Sequence, residues 1–109
     1  MLIVCVPVTD KGLVDPRWGR ASRVAIAEVR QGAIVSWKVF DVDWDLLHDA
    51  DTEGAHHARM ARFLLEHLVQ VVVVHHLGDG MAQMLSHMGI SLYLGAAGNA
   101  RTAALAAAN

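Results

Sequence analysis

Two stretches with the same layout dominate the second half of the chain. "VVVVHHLGDGM", Val71 to Met81, runs from four consecutive valines into a glycine-flanked aspartate, and "ISLYLGAAGNA", Ile90 to Ala100, runs from an apolar block into a glycine turn and an asparagine. Short apolar blocks of this kind are strands buried on both faces, where polar alternation disappears. Helical patterns at Ala55 to Val69, Asp79 to Met88 and Asn99 to Ala108 flank the strands Val71 to His75 and Ile90 to Leu94. The order β-α-β-α with short connections requires parallel strands and right-handed crossovers. Asp79 and Asn99 are good N-cap types for the last two helices.

The first half adds three strands. Leu2 to Val8 is a near-continuous apolar run, and Val24 to Val29 with Ala33 to Phe40 reads as an antiparallel hairpin around Arg30-Gln31-Gly32. The expected fold is therefore α/β: a three-layer sandwich around a mixed five-stranded sheet, with 109 residues enough for a single domain spanning 1–109. With 54% apolar and 18% charged residues, burial can outweigh chain entropy. Asp41 to Glu53 holds six of the 11 acidic residues without a helical stripe and reads as an exposed loop. Its alternating aspartates fail the calcium-loop template, which needs glycine and glutamate where Leu46 and Thr52 stand.

A net charge of −2 offers no general attraction for nucleic acid or an anionic membrane. The N-terminus reaches proline, aspartate and glycine too soon for a signal sequence or a membrane span. The single cysteine, Cys5, excludes an internal disulfide and any all-cysteine metal site, and fits a soluble chain in a reducing cytoplasm.

Open sheets bind ligands beyond the carboxyl ends of their parallel strands. That edge collects "TDKG", "HHLGDG" with Gly78 and Gly80, and "LGAAGN" with Gly95 and Gly98. Two of these turns feed helix N-termini, whose free amides and dipole favour an anion. The segment "DPRWGRASR" brings Arg17, Arg20 and Arg23 toward the same edge. The chain also has 7 histidines, among them two adjacent pairs, and neutral imidazole is a common ligand for transition metals. Neighbours on a strand or a helix diverge, so neither pair chelates one ion by itself. A composite site would take one of His56 and His57 and one of His75 and His76. His57, in register with Ala61, Leu64 and Leu68, is the one of its pair expected to face the sheet. His76 shares a face with Val72 and Val74, His75 with Val71 and Val73, and the sequence leaves open which face carries the cleft.

Catalytic templates fail: there is no nucleophile elbow, phosphate loop, dinucleotide fingerprint or H-E-x-x-H pair. Cys5 sits mid-strand as core, and Asp10 with Asp79 would reach the functional edge as a carboxylate pair for magnesium and a phosphate, although Asp79 is also the expected helix cap.

"IVCVPVTDKGLVDPRWGRASRVAIAEV", and then "VVVVHHLGDGMAQMLSHMGISLYLGAAGNARTAALAA", resemble the dinitrogenase iron-molybdenum cofactor biosynthesis family over nearly the whole chain. The resemblance implies a ribonuclease H-like fold that holds or delivers an anionic metal-sulfur cluster of the iron-molybdenum type, as a carrier rather than an enzyme. Taken with the edge residues read above, contacts to such a cofactor would fall at Arg17, Trp18, Gly19, Arg20, Gly78, Gly80, Gly95 and Gly98. The histidine pairs offer metal contacts among His56, His57, His75 and His76, although relatives often place small residues where His75 and His76 stand. This chain has Arg17-Trp18-Gly19 where the family commonly has His-Phe-Gly. Three functions remain: a non-catalytic domain for a transition metal or metallocluster, a metal-free small-anion or nucleotide module, and a ribonuclease H-type hydrolase. The last needs convergent carboxylates that the sequence does not place at strand ends.

Overall fold

The computed structural model describes residues 1–50 and 52–108. Five strands form one mixed sheet in the order β3-β2-β1-β4-β5: β1 (Leu2–Val8), β2 (Arg23–Arg30), β3 (Ala33–Asp41), β4 (Val71–Val73) and β5 (Ser91–Tyr93). Only β2 is reversed with respect to the others. It pairs antiparallel with β1 and β3, while β4 pairs parallel with β1 and β5. The helices are α1 (Trp44–Leu47), α2 (Glu53–Glu66), α3 (Asp79–His87) and α4 (Ala100–Ala108).

Strand alternation splits the core in two. Cys5, Val24, Ile26, Val72 and Val74 point to one face and pack with Trp18, Trp44, Met60, Leu64, Met81 and Leu85. Val4, Val6, Ala25, Ala27, Val71 and Val73 point to the other, where Ala96, Ala100, Ala103 and Ala104 cover them. The alanines of α4 meet the alanines of β2, so small residues on both sides let this helix lie close to the sheet. The hairpin closes on Gln31 and Gly32, with φ of 52° and 76°. Two successive left-handed residues make the tight turn that matches strand twist, and glycine takes the second at no steric cost.

The elements stand where the sequence pattern puts them, with shifted ends and three corrections. First, the acidic stretch after β3 is not wholly an exposed loop. It contains α1, whose Trp44 is 1% exposed. Trp44 meets Trp18 edge-on at 4.9 Å and Phe63 at 5.8 Å, and four residues are too few to show a helical stripe in sequence. Asp51 of this stretch lies outside the described residues. Second, the inward stripe of α2 is His56, Met60 and Leu64, not the one through His57, and Leu68 is 71% exposed beyond the helix end. The helix starts at Glu53, capped by the Thr52 side chain, and packing of His56 against Trp44 and the Gly19 carbonyl turns this stripe inward. Third, Gly78 and not Asp79 occupies the N-cap of α3, and Asp79 lies in the first turn without a capping bond. Asn99 does cap α4, its Oδ1 accepting from Thr102 N at 3.0 Å.

Candidate functional site

A cleft of about 790 Å³ opens where β1 and β4 run out on the tryptophan face of the sheet. Three segments build it: the turn after β1, the α1 to α2 connection with the start of α2, and the β4 to α3 turn.

The first wall follows from Asp15, which is 5% exposed. Its Oδ1 accepts from Arg17 N at 2.9 Å, and Asp15 N donates to the Pro7 carbonyl at 2.9 Å. This self-bonded aspartate turn swings the next residues over the sheet edge. Trp18 to Arg20 then form one 3-10 turn that buries Trp18 and leaves Arg17 and Arg20 exposed.

His56 ties this turn to α2. Its Nε2 lies 2.8 Å from the Gly19 carbonyl and its Nδ1 2.7 Å from Arg59 Nη1. A carbonyl only accepts and a guanidinium only donates, so these partners assign the Nε2–H tautomer. Both ring nitrogens are thereby engaged within the protein. His57, one position on, keeps 25% of its side chain exposed, with Nε2 3.8 Å from Glu53 Oε1. Gly80 packs against this ring: a Cβ at position 80 would lie 3.4 Å from His57 Cε1, in ordinary contact.

The third wall is the N-terminus of α3. Its first internal bond runs from Ala82 N to the Gly78 carbonyl at 3.0 Å. The amides of Asp79, Gly80 and Met81 precede it and have no intrahelical acceptor. With no side-chain cap at Gly78, they present the positive helix end to the cleft.

The charges are mixed. Arg20 Nη2 is 3.5 Å from Asp49 Oδ1, and Arg17 Nε is 3.5 Å from Asp15 Oδ1. Both arginines are about half exposed or more, and such pairs contribute only about 0–1 kcal/mol, so a stronger anion can replace the carboxylates. The hydrogen bond from His48, with the Arg20 charge beside it, holds the Asp49 carboxyl below its ordinary value. Burial pushes the Cys5 thiol far up, which leaves it protonated and sealed in the core.

Of the residues singled out in the sequence, Arg17, Trp18, Gly19, Arg20, His56, His57, His76, Gly78 and Gly80 line the cleft. His75, Gly95 and Gly98 do not. Arg23 pairs across the hairpin with Asp41 at 2.9 Å. Among the described residues no three His, Cys, Asp or Glu side chains converge as a ready metal site. His48, Asp49 and Glu53 line the cleft without having been singled out, because they belong to the acidic stretch. A lone tryptophan inside that stretch was the available sign that it packs against the body.

The family described as dinitrogenase iron-molybdenum cofactor matches residues 1–109. The chain belongs to that family. Two solved structures place its fold in wider company. The apo form of the orange protein from Desulfovibrio gigas aligns with a TM-score of 0.75 at 21% identity, covering 94% of this chain and 83% of that one. An NMR structure from Thermotoga, described as a candidate NifB protein, aligns with a TM-score of 0.69 at 19% identity, covering 94% and 84%. At these identities the likeness is one of fold. No curated protein matches the chain.

Proposed function

We propose that residues 1–109 form a single, non-catalytic domain that holds or carries a metal-containing anion, such as a metal-sulfur cluster of the iron-molybdenum type, in the cleft between the Arg17–Arg20 turn and α3. One observation carries this reading: two exposed guanidinium groups and three free helix amides border the same cleft, with His57 and His76 beside them. Dispersed donors of this kind bind an anion that arrives with its own ligands. They do not fit assembly of a bare iron-sulfur cluster, which takes about four cysteine thiolates. Cys5, the one thiol, is buried away from the cleft. His57 and His76 are the proposed direct metal contacts. His56, with both nitrogens engaged, positions the arginine turn, and His75 is left outside.

The sheet order β3-β2-β1-β4-β5, with only β2 reversed, supports reading the fold as ribonuclease H-like. A hydrolase on this frame would need carboxylates gathered around metal ions. Asp10 is not in the cleft, so it does not join Asp79 there. The buried single thiol agrees with a cytoplasmic protein, and among the described residues no helix is long and apolar enough to cross a membrane.

The test is elemental analysis of protein from cells supplied with iron and molybdenum, followed by titration of the metal-free protein with tetrathiomolybdate, the simplest molybdenum-sulfur anion. Saturable binding weakened by changing His57 and His76 to alanine supports the reading. Absence of both co-purified metal and titratable binding sinks it, and a thermal shift with phosphate or nucleotide alone then favours the metal-free module.

A further inference from the structure

Trp18 is 3% exposed and forms part of the cleft wall, yet its indole Nε1–H is shielded from solvent and has no acceptor among the described residues. It is the one buried side-chain nitrogen or oxygen of the described residues in that condition. Folded proteins leave very few buried donors unpaired, and an unpaired one carries a desolvation penalty that a partner would remove. Nearby, the Gly19 carbonyl pairs with His56 Nε2 at 2.8 Å, and the Trp44 ring stands edge-on to Trp18 at 4.9 Å.

The turn that carries Trp18 is short: Trp18 to Arg20 is a single 3-10 turn, fixed to α2 by the His56 to Gly19 bond and to Asp15 through Arg17 N. Trp18 lines the cleft on the same segment that holds Arg17 and Arg20.

Building on the carrier reading above, we propose that Trp18 Nε1–H is a specificity-determining donor for the cargo. The cargo is then an anion with terminal acceptor atoms, oxo or sulfido, and not a bare metal cation. Arg17, Arg20 and the α3 amides supply charge, which any anion satisfies. The indole supplies a single directed bond that only a ligand with an acceptor atom at that wall can complete, and binding moves the Trp18 turn.

The full chain, labelled with nitrogen-15, reports this directly, because each of its three tryptophans, Trp18, Trp37 and Trp44, gives one indole N–H resonance. Trp18→Phe and Trp37→Phe assign them. On saturation with tetrathiomolybdate the Trp18 proton is expected to move downfield and exchange more slowly with water, while Trp37 stays in place. Zinc chloride alone should leave the Trp18 signal unmoved. Trp18→Phe should weaken tetrathiomolybdate about tenfold, the loss of one hydrogen bond to a charged acceptor.

If the anion saturates the cleft and shifts the Gly78–Met81 amides while the Trp18 indole stays fixed, the donor role is wrong and the carrier reading stands. A Trp18 signal already shifted upfield by the Trp44 ring and indifferent to the anion rules out the donor role in the same way. An equal response to zinc also overturns the proposal. If tetrathiomolybdate does not bind at all, both readings fall together. Should Trp18→Phe not fold, the wild-type indole resonance decides alone.

Discussion

Two turns in this molecule share one pattern, a buried strand, a glycine-containing turn and a helix, and they have opposite fates. After β5, the chain itself occupies the helix end. Ala100 N donates to the Gly12 carbonyl at 3.0 Å, Thr102 N donates to Asn99 Oδ1 at 3.0 Å, and Val14 N bonds the Gly98 carbonyl at 2.8 Å. After β4, Gly78 offers no side-chain cap and the α3 amides border a cleft of about 790 Å³. A glycine turn before a helix is thus an anion site only where the protein has not already supplied the acceptors. Capping by a neighbouring loop makes one turn structural, and its absence leaves the other available.

The largest effect in breaking this contrast should come from Trp44→Ala. Removing a 1%-exposed tryptophan should cost about 3–5 kcal/mol in denaturant unfolding and loosen the Arg17–Arg20 turn, whose Trp18 packs on Trp44, while the bonds around Gly98 persist in amide exchange. Next, Arg17→Ala with Arg20→Ala should weaken tetrathiomolybdate about tenfold and leave stability within about 0.5 kcal/mol, since both side chains are exposed. Asn99→Ala should do the reverse, costing about 1 kcal/mol of stability through lost capping and leaving the titration unchanged. The smallest effect belongs to Asp49→Asn, which frees Arg20 and should tighten tetrathiomolybdate about twofold.

Asp49 also sets the sign of one pH effect. Its carboxyl is held below its ordinary value when folded, so its contribution is present above that value and is lost as pH falls through the lowered one. Because the group is exposed, the loss should be small, and Asp49→Asn should remove it from an acid titration of stability.

Much of the frame could be read from residue order. The valine block, the glycine turns and the hairpin determined five strands and their directions, because burial on both faces erases alternation and short connections force parallel crossovers. The cleft was legible in part. The arginine segment and "HHLGDG" meet there, and His76 is the member of its pair on the cleft side, the face of Val72 and Val74. The role of His56 was not legible. The inward face is chosen by packing against Trp44 and the Arg17–Arg20 turn, contacts that come from other segments, and the helix itself begins at Glu53, two residues before the expected boundary. Nor could sequence alone separate the two glycine turns, since the difference lies in bonds from Gly12 to Val14, a segment more than eighty residues away from α4.

The central claim is that the free end of α3, and not the capped end of α4, receives the ligand. Amide chemical shifts across a tetrathiomolybdate titration test it most directly. The account predicts saturable shifts at Asp79, Gly80, Met81 and the Arg17–Arg20 turn, with Ala100 to Thr102 unmoved. Shifts centred on Gly95 to Thr102, with the α3 amides silent, would contradict it.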